Sequence, residues 1–208
     1  MSPAHFPPLR RFMRDEDGST IVEFAVVTCI FLFLFFGLID LARLGYTTVM
    51  AEKATERAVR MAVVHPPACS GVKDVNGRSV LGALASDAPN GTLCASRNGL
   101  CVDPGPVSCT GSAENPTSAA IWAQIAGLLP AHATPENLMF TYDFDAELNR
   151  VGAPYAPIVT VALHNLDLEF ISPLGALASA AGASGAEGLG GSYVFQSMSA
   201  SLPSETIR

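Results

Sequence analysis

From Phe24 to Ile39 the chain reads FAVVTCIFLFLFFGLI, sixteen residues without a charge. Allowing for polar ends, the apolar stretch runs from Ile21 to Leu44, or 24 residues. A helix rises about 1.5 Å per residue, so such a stretch crosses a hydrocarbon core of about 30 Å. Five phenylalanines fall within thirteen positions (Phe24, Phe31, Phe33, Phe35, Phe36) and leave no polar face. A buried helix of a water-soluble protein rarely lacks one. The pattern predicts a single membrane span over about residues 21–44. A cleaved secretory signal would end in a small-residue site of the A-x-A type. Here the run ends in Asp40-Leu41-Ala42-Arg43 and the helical pattern continues. Arg10, Arg11 and Arg14 precede the span and favour a cytoplasmic N-terminus, although Arg43, Lys53 and Arg57 follow it.

The length of 208 residues allows one globular domain plus an appendage. Apolar residues make up 49% and charged ones 15%, with a mean hydropathy of +0.33. That balance excludes a mainly disordered chain. Twelve Lys and Arg against nineteen Asp and Glu leave a net charge of −7, which argues against a nucleic-acid partner. The imbalance lies in residues 61–208, with five cations and twelve acids, whereas residues 1–60 hold seven of each.

Cys29 lies within the span, where a thiol acts as a small apolar side chain. The other four cysteines, Cys69, Cys94, Cys101 and Cys109, fall in a loop-rich stretch after it. Four cysteines there predict two disulfides in one of three connectivities, and hence an oxidising compartment such as a periplasm. The spacing C-x24-C-x6-C-x7-C lacks the close pair that seeds a zinc site.

The junction Asp17-Gly18-Ser19-Thr20-Ile21-Val22-Glu23-Phe24 joins a basic leader to the apolar run. Glu23, fifth from Ser19, lies inside its edge. An ionised side chain in hydrocarbon costs about 2.5–3.5 kcal/mol on insertion scales, so it calls for a partner or a task. A cut between Gly18 and Ser19 would create an α-amino group four residues from Glu23. In a helical assembly the carboxylate of one subunit would then neutralise the amine of its neighbour and set the axial register.

The stretch GSTIVEFAVV, followed by GLIDLARLGYTTVMAEKATERAVRMAV, resembles the N-terminal region of TadE-like proteins, pseudopilins or minor pilins of the tight-adherence (Tad) pilus system. The resemblance covers residues 14 to about 64 and rests on Gly18, Val22-Glu23-Phe24-Ala25, Gly37-Leu38-Ile39-Asp40, Ala42-Arg43 and Ala54-Thr55-Glu56-Arg57-Ala58-Val59-Arg60. It implies processing after Gly18 by a membrane-embedded prepilin peptidase of the aspartic type, with Ser19 as the new first residue. It also implies assembly through Glu23 and Phe24 with other pilins or pseudopilins, an inner-membrane assembly platform as partner, and possible incorporation into the pilus. The location implied is the bacterial inner membrane, single-pass, with the C-terminal domain in the periplasm.

Beyond the membrane, Leu41 to Val64 reads as a continuation of the same helix. Ala51, Ala54, Ala58 and Ala62 form a small-residue stripe, Glu56 and Arg60 stand at i, i+4, and His65-Pro66-Pro67 ends the helix. The whole helix from Ser19 is about 45 residues, near 70 Å long. Residues 66–118 form a Cys-, Gly- and Pro-rich loop with a modest helical candidate at Arg78–Ala88. Asn115-Pro116-Thr117 opens a helix through Leu129, with Trp122 capping a small core. Leu138–Phe144 and Ile158–Leu163 are strand candidates, Tyr193–Leu202 a weaker third, and residues 175–192 a segment of small residues.

The predicted fold is thus α+β: a long N-terminal membrane-spanning helix of pilin-like plan, then a small disulfide-bearing domain with a short antiparallel sheet. The domain plan is a basic leader over 1–18, removed on maturation; the helix over 19–65; and a periplasmic domain over 66–208. No G-x-S-x-G elbow, H-E-x-x-H, P-loop or G-x-G-x-x-G motif occurs, and His5, His65, His132 and His164 are scattered. Asp143-x-Asp145-x-Glu147 has the spacing of a calcium loop, but Leu148 stands where the sharp turn needs Gly, so wet-face acids at a strand end are expected. The sequence therefore gives no metal site, no cofactor and no catalytic residue, and points to a structural, non-enzymatic protein. The competing readings are an uncleaved, membrane-anchored periplasmic binding or sensor module and a small anchored hydrolase with a convergent site.

Overall fold

The computed structural model describes residues 19–83, 88–169, 192–194 and 197–204. The leader with Gly18, and all of the 175–192 segment but Ser192, lie outside the described residues. The elements are α1 (Ser19–Ala62), a one-turn α2 (Val80–Ala83), β1 (Val107–Thr110), α3 (Pro116–Ile125), β2 (Leu138–Asp143), β3 (Ile158–Leu163), β4 (Asp167–Glu169), β5 (Ser192–Val194) and β6 (Met198–Pro203), with short 3-10 turns at Cys94–Ser96, Ala126–Leu128 and Pro135–Asn137. The class is α+β, as the sequence predicts. The chain divides into two compact units, one containing α1 up to Arg43, the other running from Leu44 to Leu168 and resuming at Ser192.

In the first unit, α1 presents its apolar side chains outward, with Ile21 73% and Phe24 72% exposed. Water does not tolerate such a surface on a free helix, whereas lipid does. It is the one helix among the described residues long and apolar enough to cross a membrane. Phe31 and Phe35, one turn apart, stack at 6.0 Å between ring centroids.

In the second unit, the alanine stripe of α1 is the floor of the core. Ala51, Ala54, Ala58 and Ala62 are at most 2% exposed. Side chains this small let a sheet approach the helix closely. The sheet has strand order β1-β2-β3-β6, antiparallel throughout. The two-residue period of a strand sends Leu138, Phe140 and Tyr142 of β2, and Val159, Val161 and Leu163 of β3, into one core with those alanines. Ile121 and Ile125 of α3 complete it, and Trp122 packs partly buried at its margin. Burying each large apolar side chain contributes about 1.5–3 kcal/mol.

Local signals set the ends. His65 Nδ1–H donates to the Met61 carbonyl at 2.8 Å, satisfying one of the orphan acceptors at the α1 C-terminus before Pro66. Regular α1 ends at Ala62, three residues before the predicted stop, because the last turn tightens: the Val64 N–H bonds to the Met61 carbonyl, three residues back rather than four. Asn115 Oδ1 accepts the Ser118 N–H at 2.9 Å and caps α3, with Pro116 in the first turn. Between the two helices, the Ala68 N–H donates to Tyr142 Oη and Thr117 Oγ1 donates to the Pro66 carbonyl, both at 2.9 Å. A Cβ at Gly111 would overlap the Pro135 carbonyl oxygen and press Ser118 Oγ at 3.0 Å, so only glycine fits the exit of β1.

Three expectations need correction. The C-terminal strand is two: β5 pairs with β4 in a separate two-stranded sheet, while β6 joins β3. The Arg78–Ala88 candidate forms regular helix only at Val80–Ala83 among the described residues. The Cys-rich loop contains the unexpected edge strand β1.

Candidate assembly segment and disulfide-bearing domain

Ser19 opens α1, and Glu23 and Phe24 follow one helical turn later, both exposed. A residue four positions on lies above the first on the same helix face. Glu23 is therefore on the face of Ser19, beside the helix start rather than across from it. Gly18, the other member of the predicted processing site, lies outside the described residues.

At the far end of the apolar stretch, Arg43 Nη1 and Asp40 Oδ1 are 3.8 Å apart. Asp40 is only 3% exposed, so the pair is half-buried, its carboxylate covered and its guanidinium partly exposed. Further along, Lys53 Nζ meets Glu56 Oε2 at 2.9 Å. This bond and the Lys53 charge hold the Glu56 carboxyl below its ordinary pKa, with Arg60 contributing less from further away. The favoured partner of Glu56 is thus Lys53 at i−3, not Arg60 at i+4.

The four cysteines of the second unit form two bridges, Cys69–Cys109 and Cys94–Cys101. The first spans 40 residues and joins the segment leaving α1 to the edge strand β1. The second spans 7 residues and closes a tight loop packed against Leu100 and Val151. Cys29 is a free thiol on the exposed surface of α1. No group of three or more His, Cys, Asp or Glu side chains among the described residues is placed to hold a metal ion. Of the calcium-like trio, Asp143 ends β2 and Asp145 Oδ1 accepts the Glu147 N–H at 2.9 Å, so the acids shape a turn rather than continue a strand.

Sequence reasoning did not anticipate Asn149 and Tyr155. Asn149, 1% exposed, donates to the Asp145 and Ala156 carbonyls and accepts from the Ala156 N–H and Asn76 Nδ2. This amide adds to the backbone bonds that hold the β2–β3 connection, among them the bridges Val75–Pro154 and Leu93–Arg150. Tyr155, 3% exposed, stacks on Phe144 and lines a cleft of about 360 Å³ with Lys73, Val75, Asn76, Val102 and Pro104. Burial, and then the Asp103 and Asp143 charges, push its phenol up to about 12. Neither residue has a motif around it in the sequence.

An exposed apolar helix long enough to span a membrane, in a chain with a disulfide-bonded α+β unit, is consistent with a single-pass membrane protein. Residues 18–60 match the family model described as TadE-like protein, the family that the sequence resembles. The matched segment, with its apolar helix, fits a membrane protein associated with the Tad pilus. Comparisons with curated proteins and with solved structures gave no match.

Proposed function

We propose that this chain is a pseudopilin or minor pilin of a Tad type IV-like pilus, a structural component and not an enzyme. A prepilin peptidase cuts after Gly18, and the mature chain begins at Ser19. The helix holds the protein in the bacterial inner membrane with the disulfide-bearing unit in the periplasm. There it associates with other pilins and with the assembly platform. The observation that carries this reading is a coincidence of position. The TadE-like match begins at residue 18, where the Gly-Ser junction meets the start of the apolar helix, and Glu23 follows one turn on.

The chemistry of Glu23 follows from that position. A carboxylate within lipid or a fibre core is costly alone, and the freed amine of Ser19 on a neighbouring subunit supplies the opposite charge. Only one axial offset brings the two together, so the pair selects register. The test uses two variants in the native host. Gly18→Leu is expected to leave the full-length chain uncut but membrane-inserted. Glu23→Ala is expected to be cut yet to lose co-purification with partner pilins. Normal cutting of Gly18→Leu, or wild-type association of Glu23→Ala, would remove the reading.

A second reading, an uncleaved anchored binding module, is favoured by the cleft around Tyr155. Its hydroxyl makes no hydrogen bond among the described residues, and Val75 and Val102 beside it are 55% and 45% exposed.

A further inference from the structure

Two antiparallel bridges, Val75–Pro154 and Arg78–Cys101, hold a stretch of chain between the β2–β3 connection and the Cys94–Cys101 loop. On it Lys73, Val75 and Gly77 recur at the two-residue spacing of an extended chain. All three line the cleft of about 360 Å³ together with Val102, Pro104 and Tyr155. Glycine keeps it open: a Cβ at Gly77 would meet nothing nearer than Val102 Cγ2 at 3.9 Å. The size falls within the roughly 300–1,000 Å³ of ordinary ligand pockets, and apolar walls with few polar groups are their usual lining.

Two features point to what the cleft receives. Tyr155 is 3% exposed, and its hydroxyl makes no hydrogen bond among the described residues. Unlike His164 Nε2 and Ser204 Oγ, that hydroxyl is not sealed from water, so the cleft is where a partner reaches it. The second feature is charge. Asp103 stands between the lining residues Val102 and Pro104, and Asp143 precedes Phe144, on which Tyr155 stacks. Neither carboxylate has an ion-pair partner among the described residues, and Asp103 Oδ1 accepts only the Gly105 N–H, at 2.8 Å. Both carboxylates act on the Tyr155 phenol, whereas the exposed Lys73 does not. An anion beside the phenol is therefore repelled and a cation attracted.

We propose that the cleft receives a basic side chain of a partner protein, arginine or lysine, with its aliphatic stem against Val75, Val102 and Pro104 and its cationic head beside Tyr155 Oη, Asp103 and Asp143. Long basic side chains lay their stems along apolar surface while the head stays polar, and a phenolic oxygen accepts an N–H. The wider charge agrees. Residues 61–208 carry twelve acids and five cations, which draws a basic partner and opposes a second copy of this chain. The apolar surface favours a protein over a free amine. Val75 and Val102 are 55% and 45% exposed, and a small amine in the cleft would leave them wet, whereas a chain bearing the side chain covers them. The inference rests on the binding role of the cleft and not on cleavage after Gly18.

The test uses the full chain, purified from native membranes into nanodiscs of zwitterionic lipid. It is titrated with fluorescent acetylated tripeptide amides, Val-Arg-Val, Val-Gln-Val and Val-Glu-Val. The arginine peptide is expected to bind at least about tenfold more tightly than the glutamine peptide, and the glutamate peptide not to bind. Gly77→Leu fills the cleft from a position with room for a side chain. It is expected to lose the arginine peptide while protease resistance of the disulfide-bonded unit persists. Asp103→Asn with Asp143→Asn is expected to erase the preference for arginine over glutamine. Equal affinity for the three peptides overturns the proposal, as does wild-type binding by Gly77→Leu or an unchanged preference in the double variant. Spermidine that displaces the arginine peptide at equal concentration assigns the cleft to free amines and overturns it as well. The N-terminal residue is read in the same preparation. Binding by uncut chain upholds the cleft site and not the pilin reading, and cut chain that ignores the arginine peptide does the reverse.

Discussion

The disulfide between Cys69 and Cys109 ties the segment leaving α1 to the edge strand β1, 40 residues further along the chain. In the same segment the Ala68 N–H donates to Tyr142 Oη, and the Ala68 carbonyl accepts from Asn115 Nδ2 at 3.0 Å. Three elements thus fix the point at which the long helix hands the chain to the sheet.

This arrangement makes the two bridges unequal. By the chain-entropy account, closing a 40-residue separation stabilises by about 4 kcal/mol and a 7-residue separation by about 2.5 kcal/mol. Denaturant unfolding in detergent, followed by the fluorescence of Trp122, is expected to show the larger loss for Cys69→Ala with Cys109→Ala. A larger loss for Cys94→Ala with Cys101→Ala would contradict it.

Asn149 offers a test of the polar interior. Asn149→Ala leaves the Ala156 N–H and the Ala156 carbonyl without their buried partner, while the Asp145 carbonyl keeps the Leu148 N–H, and each unsatisfied group costs about 1–3 kcal/mol. A loss of about 2–4 kcal/mol is expected in the same unfolding measurement. A change within about 0.5 kcal/mol, the usual range for surface sites, would show that the amide is dispensable.

Alkaline pH should weaken the domain through Tyr155. Its phenol titrates at 10.0 when unperturbed and at about 12 in the folded protein, because burial and then Asp103 and Asp143 disfavour the phenolate. Between those values the unfolded chain releases a proton that the folded chain keeps. Stability present below pH 10 is therefore lost as pH rises toward 12. Tyr142, raised by burial against the opposing effect of the Ala68 hydrogen bond, acts in the same direction. Tyr155→Phe keeps the stack on Phe144, and its stability is expected to fall less between pH 10 and 12 than that of the wild type. Parallel profiles would contradict the assignment.

Much of the architecture was legible because it follows from periodicity. The alanine stripe of α1 is read from Ala51, Ala54, Ala58 and Ala62, and all four lie in the core. Leu138 begins its strand as the alternation indicates, and Ile158 begins its own as the β-branched run indicates. What escaped reading depends on contacts distant in sequence. Val107–Thr110 is too short and too polar to stand out as a strand; its pairing with β2 and the bridge at Cys109 define it. Met198–Pro203 separates from Ser192–Val194 because each pairs with a different neighbour, a choice no local pattern encodes. The disulfide pairing was open for the same reason. At the helix start, Ser19 and Glu23 lie one turn apart on α1, a relation that helical spacing alone sets. The buried roles of Asn149 and Tyr155 were not, because they arise from the loops that fold over them.

The most direct test of the central claim is mass spectrometry of the N-terminal peptide of the protein recovered from its native membranes. The account expects a chain that begins at Ser19, with the preceding glycine gone. A mature protein that still carries Met1 and the basic leader, in cells whose prepilin peptidase is active, would contradict it.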